Sequence, residues 1–141
     1  MASALYSKGR EGFLDGSIDW NTGTIKVSLL RGYTFNDAHQ FLSDITSSGA
    51  TIVATQTLTT PSATSGVANA DPVTFTSVPT GTACSCYILY QSSAPSGGAD
   101  LATTSQRLIA YIDDATGLPV TPNGGNINIA WDSGTNKIFK L

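Results

Sequence analysis

Apolar and polar residues alternate at every second position over several short stretches of this chain. That is the spacing of β-strands with one dry and one wet face. Ser17-Ile18-Asp19-Trp20 and Thr24-Ile25-Lys26-Val27-Ser28-Leu29 alternate on either side of Asn21-Thr22-Gly23. Asn and Gly tolerate the positive φ of a tight turn, so this stretch reads as an opening hairpin. Thr51 to Leu58 is β-branched and partly alternating. Pro72 to Val78 places Val73, Phe75 and Ser77 on one face, and Asn126 to Trp131 turns Ile127, Ile129 and Trp131 inward. Lys137 to Leu141 reads as a last strand that ties the end of the chain into a sheet. Two runs are apolar without alternation, Cys86-Tyr87-Ile88-Leu89-Tyr90 and the segment from Arg107 to Asp113, and both predict central strands. Gly66 to Ala70 reads as a short edge strand and Thr59 to Ser65 as a loop around Pro61. Leu118 to Thr121 carries Pro119 and is a short strand at an edge or a break in pairing. Asn123-Gly124 is a hairpin signal.

The helical period occurs once. Ala38, Phe41, Leu42 and Ile45 form one apolar stripe, with Asn36 or Asp37 as N-cap and Ser47-Ser48-Gly49 as the stop. Such a helix plugs one end of a sheet sandwich. Residues 1–15 read as an N-terminal arm. Gly9 and Gly12 argue against a helix there, while Leu5, Tyr6, Phe13 and Leu14 anchor its two ends, so it packs over its own domain or reaches a neighbour. Residues 16–141 form the body. The whole is predicted to be all-β, a single sandwich or barrel of eight to ten short antiparallel strands with one short helix. The arm, through Leu5, Tyr6, Lys8, Arg10, Phe13 and Leu14, is the expected contact with a neighbouring subunit. On this reading, removing residues 2–12 abolishes assembly and leaves the domain folded.

Composition sharpens the picture. Charged residues make up only 12% of 141 residues, about half the usual share of roughly 25%. Serine and threonine fill the gap, and Glu11 is the sole glutamate. A surface so poor in charge is either covered by other subunits or simply rich in hydroxyls. The net charge of −3, with seven scattered Lys and Arg, gives no basic patch, so nucleic acid is not an expected partner. No run of 18 apolar residues and no leader-like start is present, so no membrane partner is expected and synthesis is placed in a cytoplasm. Cys84 and Cys86, two apart, are expected on one strand face as free thiols, since a disulfide between them needs distorted geometry.

Catalytic chemistry finds no constellation in the sequence. His39 is the only histidine, read as a surface or capping residue, and no Gly-x-Ser-x-Gly elbow accompanies it. Asp113 and Asp114 are adjacent, and neighbours on a strand point to opposite faces. Asp19-Trp20-Asn21-Thr22-Gly23 matches the first half of a calcium loop, but Leu30 stands where the bidentate glutamate belongs. Trp20 and Trp131 fall at inward positions and read as core. No catalytic residue, cofactor or metal site is expected.

Several blocks carry a family resemblance. The opening from Ala4 to Trp20, the block His39-Gln40-Phe41-Leu42-Ser43-Asp44-Ile45, the segments from Arg107 to Asp113 and from Ala115 to Gly125, and the closing Trp131-Asp132-Ser133-Gly134 and Ile138-Phe139-Lys140-Leu141 resemble small virion proteins of tailed bacteriophages. Thr51 to Gly98 is the least distinctive part. The resemblance implies a capsid decoration (cement) protein on the virion surface. Its implied partners are further copies of itself, as a homotrimer, and the major capsid protein or another virion protein. A tail, baseplate or fibre-associated role, or a host-surface carbohydrate-binding module, is the alternative. It implies no active site.

Overall fold

The structure is a computed structural model and describes residues 3–115, 117–131, 134 and 137–141. Its strands are β1 (Ala4–Leu5), β2 (Ile25–Arg31), β3 (Thr51–Thr57), β4 (Ser62–Thr64), β5 (Val67–Asn69), β6 (Val73–Phe75), β7 (Cys86–Gln91), β8 (Arg107–Ile112), β9 (Ile127–Ile129) and β10 (Phe139–Lys140). Among the described residues they form three antiparallel sheets, in the orders β1-β8-β7-β2-β3, β10-β5-β4 and β6-β9. Among the described residues no barrel closes, and the fold is all-β and sandwich-like, as the alternation predicts.

Strand pleat decides what each face of the five-stranded sheet buries. Val27, Leu29, Tyr87, Leu89 and Ile109 point to one side, into a core shared with Phe75, Val78, Ala68 and Ile129 of the smaller sheets and their loops. Leu30, Cys86, Ile88, Tyr90, Leu108 and Tyr111 point to the other side, into a second core with Tyr6, Tyr33, Leu42 and Ile45. This explains why the segment from Cys86 to Tyr90 lacks alternation. β7 is the middle strand, every residue of it is buried, and both its faces are covered. Each fully buried Leu or Ile there contributes about 1.5–3 kcal/mol relative to exposure.

The opening hairpin does not form. Ser17 to Trp20 is not a strand, although Ile18 and Trp20 are buried as expected. The Asp19 carboxylate accepts the N–H groups of Asn21 (3.0 Å) and Thr22 (3.1 Å), and Gly23 N–H donates to the Asp19 carbonyl (2.9 Å). This Asx turn competes with pairing and feeds the chain into β2. β2 takes β7 and β3 as its neighbours. Ser62 to Thr64, read as loop, is β4, and Val67 to Asn69 is then the middle of three strands rather than an edge. Asn123-Gly124 does not join adjacent strands, because β9 pairs with β6. Leu118 to Thr121 makes only an isolated bridge between Val120 and Cys84. Ser77 is exposed at φ 49°, which rotates Val78 into the core position instead.

Among the described residues two α-helices form where one was expected. α1 (Ser7–Asp15) occupies the supposed arm, and α2 (Leu42–Ser47) begins later than the apolar stripe suggests. Asn36 Oδ1 accepts Ala38 N–H in a separate turn, so Ala38 lies outside α2 and is exposed. Phe41 is the N-cap of α2, and Asp44 at the third helical position reaches back so that its carboxylate accepts the N–H groups of Gln40 (2.8 Å) and Phe41 (2.9 Å). These bonds, that from Phe41 first, hold the Asp44 carboxyl below the usual value. A depressed folded pKa gives stability that is complete above the unfolded value of about 3.9 and is lost as pH falls through the folded one. Asp44→Ala should therefore cost about 1 kcal/mol near neutral pH. It should also flatten the acid limb of the stability curve below about pH 4, read from urea midpoints.

Cys84 and Cys86 are free and fully buried, but they enter different cores, because Cys84 lies before β7 begins. Burial pushes the Cys86 thiol up to about 12. Neither thiol should react with Ellman's reagent in the folded protein at pH 8, and both should react in denaturant.

Candidate interaction surface

α1 exists because its glycines are a docking face rather than breakers. Gly9 and Gly12 are the buried residues of the helix. A Cβ at Gly9 would fall 2.8 Å from the Ile109 carbonyl oxygen and 3.0 Å from that of Leu108, so only glycine lets the helix sit on β8 this closely. Gly16 ends the helix in the left-handed conformation at φ 82°. Before the helix, β1 pairs with β8, and Tyr6 N–H donates to the Ile109 carbonyl (3.0 Å). The segment expected to be an arm thus packs on its own sheet. Residues 2–12 thus supply an edge strand and a core tyrosine, so their removal is expected to destabilise the domain as well as its contacts.

The six residues singled out in this segment separate into two groups. Leu5, Arg10, Phe13 and Leu14 converge with Lys140 and Leu141 on one hollow of 410 Å³. An adjoining hollow of 320 Å³ runs between β1 and β10, and Leu5, Arg10 and Lys140 line both. Tyr111 and Phe139 are its aromatic lining, and Phe13 lines the first hollow. Phe139 of β10 packs against Phe13 at 5.8 Å and edge-on to Trp20 at 5.2 Å between ring centroids. Trp20 is fixed in turn by its Nε1–H, which donates to the Asn69 carbonyl (3.2 Å). Leu14 is 89% exposed and Leu141 58% exposed, the most exposed large apolar residues described. Leu141 and Lys140 were missed in the sequence because nothing local reveals that β10 lies beside α1.

Tyr6 and Lys8 lie elsewhere. Tyr6 is fully buried in the second core, and its hydroxyl is 2.8 Å from that of Tyr33, which is 2.9 Å from His39 Nδ1. Burial above all raises the Tyr6 phenol well beyond its ordinary value. Tyr6 therefore meets no partner surface, and His39 is half-buried in this chain of hydroxyls. Lys8 pairs with Glu11 at 2.8 Å on the exposed side of α1.

The remaining candidates serve the fold. Asp114 accepts the Ser3 hydroxyl, whereas Asp113 accepts the Tyr111 hydroxyl (3.2 Å), so the two carboxylates are held by different partners. The Asp19 carboxyl is committed to backbone N–H groups and lowered by them, that of Thr22 first. Among the described residues no group of three or more His, Cys, Asp or Glu is placed to hold a metal ion. No described helix is long and apolar enough to cross a membrane. Trp131 is only half-buried rather than core. It lines a 350 Å³ cleft with Asp114 and Lys137, and its Nε1–H donates to the Asp71 carbonyl (3.0 Å). No family model matches the chain, and no curated protein matches it in sequence.

Proposed function

We propose that this chain is a structural protein of a tailed-bacteriophage virion, a capsid decoration protein that binds the head lattice through the surface formed by α1 and the C-terminal strand. The observation that carries the reading is the apolar hollow with Leu14 and Leu141 standing in solvent at its rim. A folded domain gains nothing from leaving two leucines so exposed beside an aromatic floor, whereas a protein contact buries them. The charge-poor, hydroxyl-rich composition and the resemblance of the opening and closing blocks to phage virion proteins point the same way. The mechanism is mechanical: each bound copy bridges lattice subunits and opposes the outward pressure of packaged DNA.

Cosedimentation with head shells that lack the protein tests this. Saturable binding that raises the temperature at which the shells disrupt is expected. Absence from sedimented shells, with recovery on isolated tails, sinks the head assignment in favour of a tail or baseplate role. The cleft beside Trp131 favours a second reading, a host-surface carbohydrate contact, because an accessible indole edge beside an acidic side chain suits a sugar ring. A glycan array separates it from the first.

A further inference from the structure

The hollow between β1 and β10 is bounded by two strand edges that, among the described residues, have no paired neighbour. β1 is the outer strand of the five-stranded sheet and β10 the outer strand of the three-stranded sheet. In an antiparallel pair alternate residues turn their backbone groups away from the partner. Ala4 pairs with Tyr111, and Tyr6 N–H bonds to Ile109, so the N–H and C=O of Leu5 face away from β8. Phe139 pairs with Ala68, and Leu141 N–H bonds to Gly66 (2.9 Å), so the N–H and C=O of Lys140 face away from β5. Neither backbone has another hydrogen-bond partner among the described residues. Leu5 and Lys140 line both hollows.

Charge names the occupant. Arg10 and Lys140 are exposed at this seam, and among the described residues no acidic side chain lines either hollow. Arg10 feels Asp37, but that carboxylate already accepts both the Ser7 N–H and the Ser7 hydroxyl. Resting on the assembly reading above, we infer that the seam takes an extended segment of another virion protein, with alternating apolar and acidic residues. The segment lies as a strand between β1 and β10. Its backbone pairs with Leu5 and Lys140, its apolar side chains cover the floor at Phe13, and its carboxylates meet Arg10 and Lys140. The inserted strand joins the five-stranded and three-stranded sheets into one.

The test uses the full chain and two labelled synthetic heptapeptides, one alternating valine with aspartate and one alternating valine with lysine. In fluorescence anisotropy the aspartate peptide should bind at least tenfold more tightly than the lysine peptide. The Arg10→Glu/Lys140→Glu variant should reverse that order. Methylating alternate backbone nitrogens of the aspartate peptide should abolish its binding to the unaltered protein. Hydrogen exchange should slow at the Leu5 and Lys140 amides when the peptide is bound. Equal affinity for the two peptides, no binding of either, an unchanged preference in the double variant, or indifference to N-methylation overturns the inference. So does a dimer of this chain that already protects both amides without peptide, since a second copy is then the occupant. If shells bind the protein while the aspartate peptide does not, the inference fails and the decoration reading survives. If the peptide binds as described and shells do not, the reverse holds.

Discussion

Gly9→Ala should destabilise the protein by about 1–3 kcal/mol, although helix propensity alone would make the same change stabilising by about 1 kcal/mol. The sign depends on what the new methyl group meets. At Gly9 it meets the Ile109 carbonyl oxygen at 2.8 Å, the Leu108 carbonyl oxygen at 3.0 Å and the Ile109 Cα at 3.1 Å. All three are backbone atoms of β8, a strand paired on both sides, so they cannot yield cheaply. Gly9→Val should cost more. Gly12→Ala is the control, because its methyl would meet the Ile18 side chain at 2.6 Å, and a side-chain end can turn away. Denaturant midpoints should rank the wild type first, Gly12→Ala second and Gly9→Ala third. A Gly9→Ala variant more stable than the wild type would mean that α1 does not rest on β8.

Leu14→Glu should leave folding within about 0.5 kcal/mol of the wild type, because the side chain is 89% exposed. Glutamate also stands four residues after Arg10, a tolerated pairing along a helix. Lattice binding should respond very differently. On the proposed contact this leucine is covered by the partner, and glutamate puts there a carboxylate that must be desolvated, beside a partner that the seam's charge marks as acidic. A loss of about 2 kcal/mol, roughly thirtyfold in affinity, is expected. Cosedimentation titrations with head shells read it, with the thermal midpoint as the folding control. Undiminished binding would move the contact away from α1.

The fold class was legible because period-two alternation reports the pleat directly. Val73 with Phe75, Ile18, and the two-sided run through Ile88 and Leu89 all landed where the pattern placed them. The partners of each strand were not legible. Ser17 to Trp20 has the pattern of a strand, yet Asp19 offers its own carboxylate to the backbone and wins locally. The arm was misread for a related reason. Glycine lowers helix propensity by about 1 kcal/mol, but close packing on β8 outweighs that when the glycines fall on the buried face. Spacing alone does not reveal the strand that receives them. The same holds for the interaction surface. Leu5, Arg10, Phe13 and Leu14 were recognisable as apolar and basic residues of a terminal segment, while Lys140 and Leu141 join them only through pairing of β10 with β5.

Counting copies in purified virions by quantitative mass spectrometry, with the major capsid protein as internal standard, tests the decoration reading most directly. A decoration protein that covers the lattice is expected at on the order of hundreds of copies per particle, in fixed ratio to the capsid protein and with the symmetry of the shell. A few to tens of copies, retained on tails after the heads are removed, would contradict it.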